Sequence, residues 1–346
     1  MKAAAYDAFG GPITVRELPD PQPGDGEVIV RVRATGICRS DWHGWQGHDA
    51  DIRSLPHVPG HELAGEVSAV GRGITRWKSG DRVTVPFVAG CGRCPPCRAG
   101  DPQVCDAQSQ PGFTHWGSFA ELVRIRYAED NLVRLPAELD FVTAASLGCR
   151  FTTAWRAVVA QGRAREGEWV AVHGCGGVGL SAVMIARSLG ARVLAVDLNP
   201  AALTLAAELG AEVCIDARAG DPAQAILDAT GGGAHLSLDA LGHPAILWNS
   251  ITSLRKRGRH VQVGLLTGDQ AAAPLPMDLV VARELELLGS HGMQARLFPA
   301  LLDHITTGRL DPRRLITRTC TLAEGAVLLA GMAESSHAGV TVIDRL

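Results

Sequence analysis

The sequence predicts a mixed α/β chain, with a β-rich domain leading and a doubly wound parallel-sheet domain following. Its 346 residues exceed what one ordinary core holds, so two domains are expected. Residues 1–150 alternate apolar and polar side chains between glycines and prolines, whereas from residue 151 short apolar strands alternate with helical stretches. These textures set the expected boundaries: 1–150 for the β-rich domain, 151–289 for the α/β domain, and a tail, 290–346, returning to the first.

In the first domain, residues 27–34 read as a half-buried strand of period two, and 64–71 and 81–85 repeat the signal. In the second, the apolar strand 170–173 runs into glycines and then a helix over 180–189. A strand at 192–197, a helix at 201–209 and strands at 212–216, 236–239 and 260–264 follow. Such alternation gives a parallel sheet covered on both faces.

Composition narrows the function. With 46% hydrophobic and 20% charged residues the chain is globular, and a net charge of −3 offers no basic footprint for nucleic acid and no polybasic membrane patch. No run approaches the ~18 apolar residues of a membrane span. Asp7 falls where a signal peptide carries its apolar stretch, so a cytoplasmic location is expected. Nine cysteines, an odd number with CxxC spacing, point to metal binding in a reducing compartment rather than to a disulfide framework.

Four of the nine, Cys91, Cys94, Cys97 and Cys105, form C-x2-C-x2-C-x7-C in a lobe spanning about 90–106. Four thiolates this close suit a tetrahedral zinc or iron, which can hold a lobe that has no core of its own. Such a closed site is structural, so the chemistry must come from other residues. Cys175, Cys214 and Cys320 suit loop and core positions and are given no chemistry.

Gly174-Cys175-Gly176-Gly177-Val178-Gly179 fits G-x-G-x-x-G between an apolar strand and a helix. Gly174, Gly176, Gly177, Val178 and Gly179 would let the backbone approach a dinucleotide pyrophosphate at the helix N-terminus. Asp197, at the end of the next strand, would accept hydrogen bonds from the adenosine ribose and repel a 2′-phosphate. The bland reading is a βα turn with a helix-capping acid. Leu198-Asn199-Pro200 supplies no cation for a 2′-phosphate, so NAD is preferred over NADP.

Cys38, His61 and the isolated Cys149 would make a Cys2His set, the three protein ligands of a catalytic zinc with one open position. Equally, a lone Cys149 suits a small core position, and His61 a hydrogen-bonded core histidine.

Taken in order, C-x-S-D-x-H from Cys38 to His43, Gly60-His61-Glu62, the four-cysteine lobe, Cys149, and G-x-G-x-x-G with Asp197 resemble the zinc-containing alcohol dehydrogenases of the medium-chain dehydrogenase/reductase superfamily, essentially end to end. The resemblance implies a GroES-like catalytic domain joined to a Rossmann domain, two zinc ions per chain and NAD. It implies catalytic zinc ligands at Cys38, His61 and Cys149, and a structural zinc at Cys91, Cys94, Cys97 and Cys105. Glu62 is similar to an acid that transiently ligates the zinc, and Asp41 to the carboxylate that orients the His61 imidazole. Arg39 resembles a pyrophosphate-binding arginine, and Thr153 a threonine near the nicotinamide. Ser40 is implied to take the alcohol proton, which then passes through the nicotinamide ribose to His43.

The implied reaction is reversible hydride transfer between an alcohol and NAD. Trp42, Trp116 and Leu266 are implied to approach the substrate, which favours hydrophobic primary or secondary alcohols. A polyol, amino-alcohol or aldehyde dehydrogenase on the same scaffold is the alternative. Cys149 stands where polyol enzymes of the superfamily place a carboxylate. Gly339-Val340 and Ala202 depart from an arginine and a lysine that some relatives direct at the cofactor. A homodimer or homotetramer is implied.

Overall fold

In the computed structural model, which describes residues 1–334 and 337–346, the N-terminal strands are β1 (Lys2–Ala5), β2 (Thr14–Glu17), β3 (Val28–Gly36), β4 (Glu62–Val70), β5 (Arg82–Thr84), β6 (Leu122–Ile125) and β7 (Val133–Arg134). Then come β8 (Trp169–His173), β9 (Arg192–Asp197), β10 (Val213–Asp216), β11 (Ala234–Asp239), β12 (Leu254–Gln262) and β13 (Glu286–Gly289). The chain ends with β14 (Ile316–Thr321) and β15 (Val340–Arg345). Two compact units result: one holds Met1–Thr152, a stretch beginning at Gly292, and Val340–Leu346; the other is chiefly Thr153–His291.

The first unit is built on a seven-stranded sheet of order β14-β15-β3-β4-β5-β7, with β6 also paired to β3. Alternation explains the middle of β3: Arg31 and Arg33 are exposed while Val30, Val32 and Ala34 are buried. Arg33 reaches across to Glu66 at 2.7 Å, an exposed pair contributing at most about 1 kcal/mol. The valines of β3 meet Leu63, Val83, Val85 and Val123 in one core cluster, and a second cluster gathers Phe119, Ile37, Leu329 and Ile343.

The second unit is a six-stranded parallel sheet of order β10-β9-β8-β11-β12-β13. Counted from its first strand, that order is 3-2-1-4-5-6, the doubly wound order of a Rossmann fold. β8 is buried along its whole length, as a central parallel strand must be. The order reverses beside β8, where ligands bind in such sheets, and the glycine-rich loop leaves from that point.

Candidate active site

Strand register brings the first two candidate ligands together. Gly36 pairs with Glu62 in the antiparallel β3–β4 ladder, so Cys38, just past β3, and His61, just before β4, lie at the same end. Cys38 is the N-cap of the helix Arg39–Trp45, and its N–H donates to Asp41 Oδ2 at 3.0 Å. His61 is set by Gly60, whose φ of +107° favours glycine and whose Cβ would fall 2.6 Å from the Phe119 ring. Cys149 arrives on the wide helical turn Leu147–Phe151. Gly148 lets that turn rest on β4, because a Cβ there would lie 2.6 Å from Glu62 Cα.

Cys38, His61, Glu62 and Cys149 each offer one ligand atom, and these atoms lie within 4.8 Å of one another. Asp41 organises the group from behind. Its Oδ1 accepts from His61 Nδ1 at 2.7 Å and from the Gly60 N–H at 3.0 Å. With Nδ1 committed, His61 Nε2 is buried and has no hydrogen-bond partner. A buried imidazole nitrogen left unpartnered beside two thiols fits a metal ion, which repays the desolvation that an empty core could not.

The electrostatics agree. The Cys149 hydrogen bond draws the Cys38 thiol well below its usual range, against the effect of burial, with His61 assisting. Burial works to lower the His61 pKa, but the Asp41 carboxylate and the Cys38 sulfur raise it well above the usual imidazole range. A proton held there is one that a cation would displace.

Cys91, Cys94, Cys97 and Cys105 form a second four-ligand cluster, also within 4.8 Å. The short helix Pro95–Arg98 starts from Cys94, and the N–H groups of Cys91 and Ala107 each donate to Cys105 Sγ at 3.3 Å. The backbone N–H of Arg93 pulls the Cys91 thiol down to about 6, while burial pushes Cys97 up to about 12. A metal would neutralise this uneven set of sulfurs together.

In the Rossmann unit, Gly176 caps the helix Gly177–Ser188 without a side-chain hydrogen bond, and a Cβ on Gly176 would meet only open space. Gly179 has the opposite constraint, since a Cβ there would lie 1.7 Å from Gly174 O. Val178 lies between them in the first turn. The turn is thus open on its outer face and closed against the sheet, as a pyrophosphate cradle needs. Asp197 ends β9, its Oδ2 accepting from the Cys175 N–H at 2.6 Å and its Oδ1 from the Asn199 N–H at 2.8 Å.

Arg39 stacks 4.7 Å from the Trp42 ring centroid and donates to Met332 O at 3.3 Å. Ser40 Oγ lies 3.8 Å from Cys38 Sγ. Ser40 and His43, three residues apart, share one face of their helix. Thr153 Oγ1 is buried without a partner. Trp42 and Trp116 pack against the Phe119 cluster, and Trp116 donates to Pro56 O at 2.9 Å. Leu266 packs against the Rossmann core.

Two residues escaped the sequence reading. His48 Nδ1 sits 3.1 Å from His43 Nδ1. Arg150 binds Glu62 inside the ligand cluster. An arginine in the otherwise uncharged run Ser146-Leu147-Gly148-Cys149-Arg150-Phe151 was the available signal, because a charge in such a run needs a partner.

A Rossmann-ordered sheet and two clusters that could each hold a metal ion are the pattern of a metal-dependent dehydrogenase, and the comparisons with known proteins give the class. An alcohol dehydrogenase GroES-like domain family matches residues 24–137, and a zinc-binding dehydrogenase family matches 177–307. An alcohol dehydrogenase of Rhizobium meliloti (strain 1021) is 38% identical over 84% of each chain. The solved alcohol dehydrogenase TADH of Thermus sp. ATN1 superposes with a TM-score of 0.91 at 32% identity, over 99% of each chain. A Sinorhizobium meliloti 1021 chain solved with NADP bound gives 0.89 at 29%, over 99% of this chain and 98% of that one. The chain belongs to the zinc-type alcohol dehydrogenases of the medium-chain dehydrogenase/reductase superfamily.

Among the described residues, no helix is long and apolar enough to cross a membrane.

Proposed function

We propose that the protein oxidises a hydrophobic primary or secondary alcohol to its aldehyde or ketone, and reverses that reaction, with NAD and a zinc ion held by Cys38, His61 and Cys149. The observation that carries this reading is the buried, unpartnered His61 Nε2 facing two thiols. When bound, zinc supplies Lewis-acid polarisation of the substrate oxygen and the dinucleotide supplies the hydride acceptor. Cys91, Cys94, Cys97 and Cys105 would hold a second, structural zinc.

Ser40 takes the substrate hydroxyl proton, and His43 on the same helix face delivers it to solvent. Burial, followed by the charges of Arg39 and His48, lowers the His43 pKa below its usual value. His43 is therefore neutral and able to accept a proton at neutral pH, and alcohol oxidation should fall as pH drops through the lowered value. His43→Gln is expected to slow alcohol oxidation at pH 7 by about tenfold or more and much less at pH 10, where hydroxide takes over. An unchanged pH–rate profile removes His43 from the path.

The preference for NAD rests on Asp197 and on the uncharged residues that follow it. Asp197→Ala should lower the NAD-over-NADP ratio of kcat/KM by about ten- to a hundredfold. A ratio that stays constant shows that the carboxylate only caps the loop. Trp42 and Trp116 present apolar surface, which favours apolar alcohols over polyols. A steady-state screen of benzyl alcohol, hexanol, a secondary alcohol and sorbitol, each with NAD and NADP, tests the whole reading. Turnover confined to sorbitol would replace it with the polyol alternative.

A homodimer or homotetramer is favoured by β13, which pairs with β12 on one side and forms a sheet edge on the other. Light scattering on the purified chain measures the subunit number directly.

A further inference from the structure

Arg150 lies within the ligand cluster, yet neither the ligand set nor the proton path gives it a task. Its side chain is 9% exposed and that of Glu62 is fully buried. Glu62 Oε1 accepts from Arg150 Nε at 3.0 Å, from the Arg150 N–H at 3.0 Å and from the Cys149 N–H at 3.1 Å. Glu62 Oε2 accepts from Arg150 Nη2, and Arg150 Nη1 donates to Ile37 O at 3.0 Å. The guanidinium is thereby fixed to the backbone on one side and to both carboxylate oxygens on the other, the geometry that arginine supplies and lysine cannot.

The pair occupies a slot cut by two glycines. A Cβ on Gly36 would lie 2.3 Å from Glu62 Oε2 and 2.8 Å from Arg150 Nη2, and one on Gly148 would lie 2.8 Å from Glu62 Cβ. Local sequence thus makes room for one particular setting of this carboxylate. The same carboxylate is also one of the four groups close enough to bind a common ion. It has two partners available, the guanidinium and the metal, and it cannot serve both fully.

We propose that Arg150 is a positioning residue that holds Glu62 off the metal, so that competition between the guanidinium and the ion for this carboxylate sets how open the fourth metal position is and how readily the ion leaves. The inference rests on the zinc reading above. It differs from a bracing role in sign. Without Arg150, a freed Glu62 closes on the ion and retains it, whereas a centre that merely loses a brace releases its ion faster.

The test uses the full chain loaded with cobalt, read by visible absorption and by the rate of cobalt loss to a chelator. Spectra are taken as differences from Cys149→Ala, which isolates the Cys38–His61–Cys149 centre from the four-cysteine lobe. Arg150→Gln is expected to change the d–d bands, slow cobalt loss by about tenfold and raise KM for alcohol. Adding Glu62→Gln to Arg150→Gln should restore the wild-type spectrum and rate. An unchanged spectrum, or faster loss that Glu62→Gln does not reverse, overturns the proposal. Should Arg150→Gln fail to fold, Arg150→Lys is read in the same way. A smaller change of the same sign supports the proposal and none overturns it. If the wild-type chain gives no difference signal, the metal reading itself fails. If the signal is present and insensitive to Arg150, only the role of Arg150 fails.

Discussion

Cys149→Ala is expected to leave about one zinc per chain, held by the four-cysteine lobe, and to lower alcohol oxidation by about a thousandfold or more. Lewis-acid stabilisation of developing charge is worth several kcal/mol, and each ~1.4 kcal/mol is tenfold in rate. Losing Cys149 removes one of the three proposed ligands and also the hydrogen bond that draws the Cys38 thiol toward its thiolate. The neighbouring backbone N–H groups, which hold Glu62, are untouched by the change. The measurement is metal content by mass spectrometry beside steady-state rates. Two zinc ions per chain in the variant would remove Cys149 from the ligand set.

Asp41→Asn should be nearly as damaging, by a different route. Asp41 is buried and accepts three hydrogen bonds, from the N–H groups of Cys38 and Gly60 and from His61 Nδ1. An amide must turn its NH2 toward one of these donors, leaving a donor–donor contact in the core. The expected loss is about 2–3 kcal/mol of unfolding free energy, together with ten- to a hundredfold weaker zinc binding. Denaturant melts of the metal-free chain and a competitive chelator titration measure the two separately.

The pH dependence of the metal-free protein follows from the same contact. Asp41 and Cys38 raise the His61 pKa, so this contribution to stability is fully present below ~6.5 and is lost as pH rises through the raised value. Zinc bound at His61 as proposed would expel that proton, so loading should strengthen with rising pH. In Asp41→Asn the stability contribution should shrink. An identical pH profile of stability in both proteins would show that His61 draws nothing from Asp41.

Much of the fold was legible because its signals are local. The alternation read at 27–34 and the short apolar stretch at 170–173 each became a strand, the first exposing only Arg31 and Arg33 and the second fully buried. The glycine-rich turn was legible for the same reason, since G-x-G-x-x-G is written in six consecutive residues, and in the fold a Cβ on Gly179 would lie 1.7 Å from Gly174 O. The four-cysteine lobe needs only fifteen consecutive residues to define it. The β3–β4 register was not legible, nor was the turn that carries Cys149 onto β4. Pairings between residues far apart in the chain are decided by how whole faces pack, and no short window records them.

Arg150 marks the limit most clearly. In the sequence it reads as an isolated charge beside a cysteine, and its partner lies 88 residues away. By itself the sequence determined the classes of element, the four-cysteine lobe and the glycine-rich turn, because residue type and spacing within one stretch are enough for each, whereas Cys38, His61 and Cys149 were told apart from core residues as a ligand set only through the family resemblance. Only the tertiary structure decided that Gly36 and Glu62 pair, that Asp41 Oδ1 is shared by His61 Nδ1 and the Gly60 N–H, and that Glu62 is held by Arg150 in a slot two glycines wide. Those choices follow from burial. A charge or a ring nitrogen removed from water must find its partner in space, and the chain supplies it from wherever the fold brings one close.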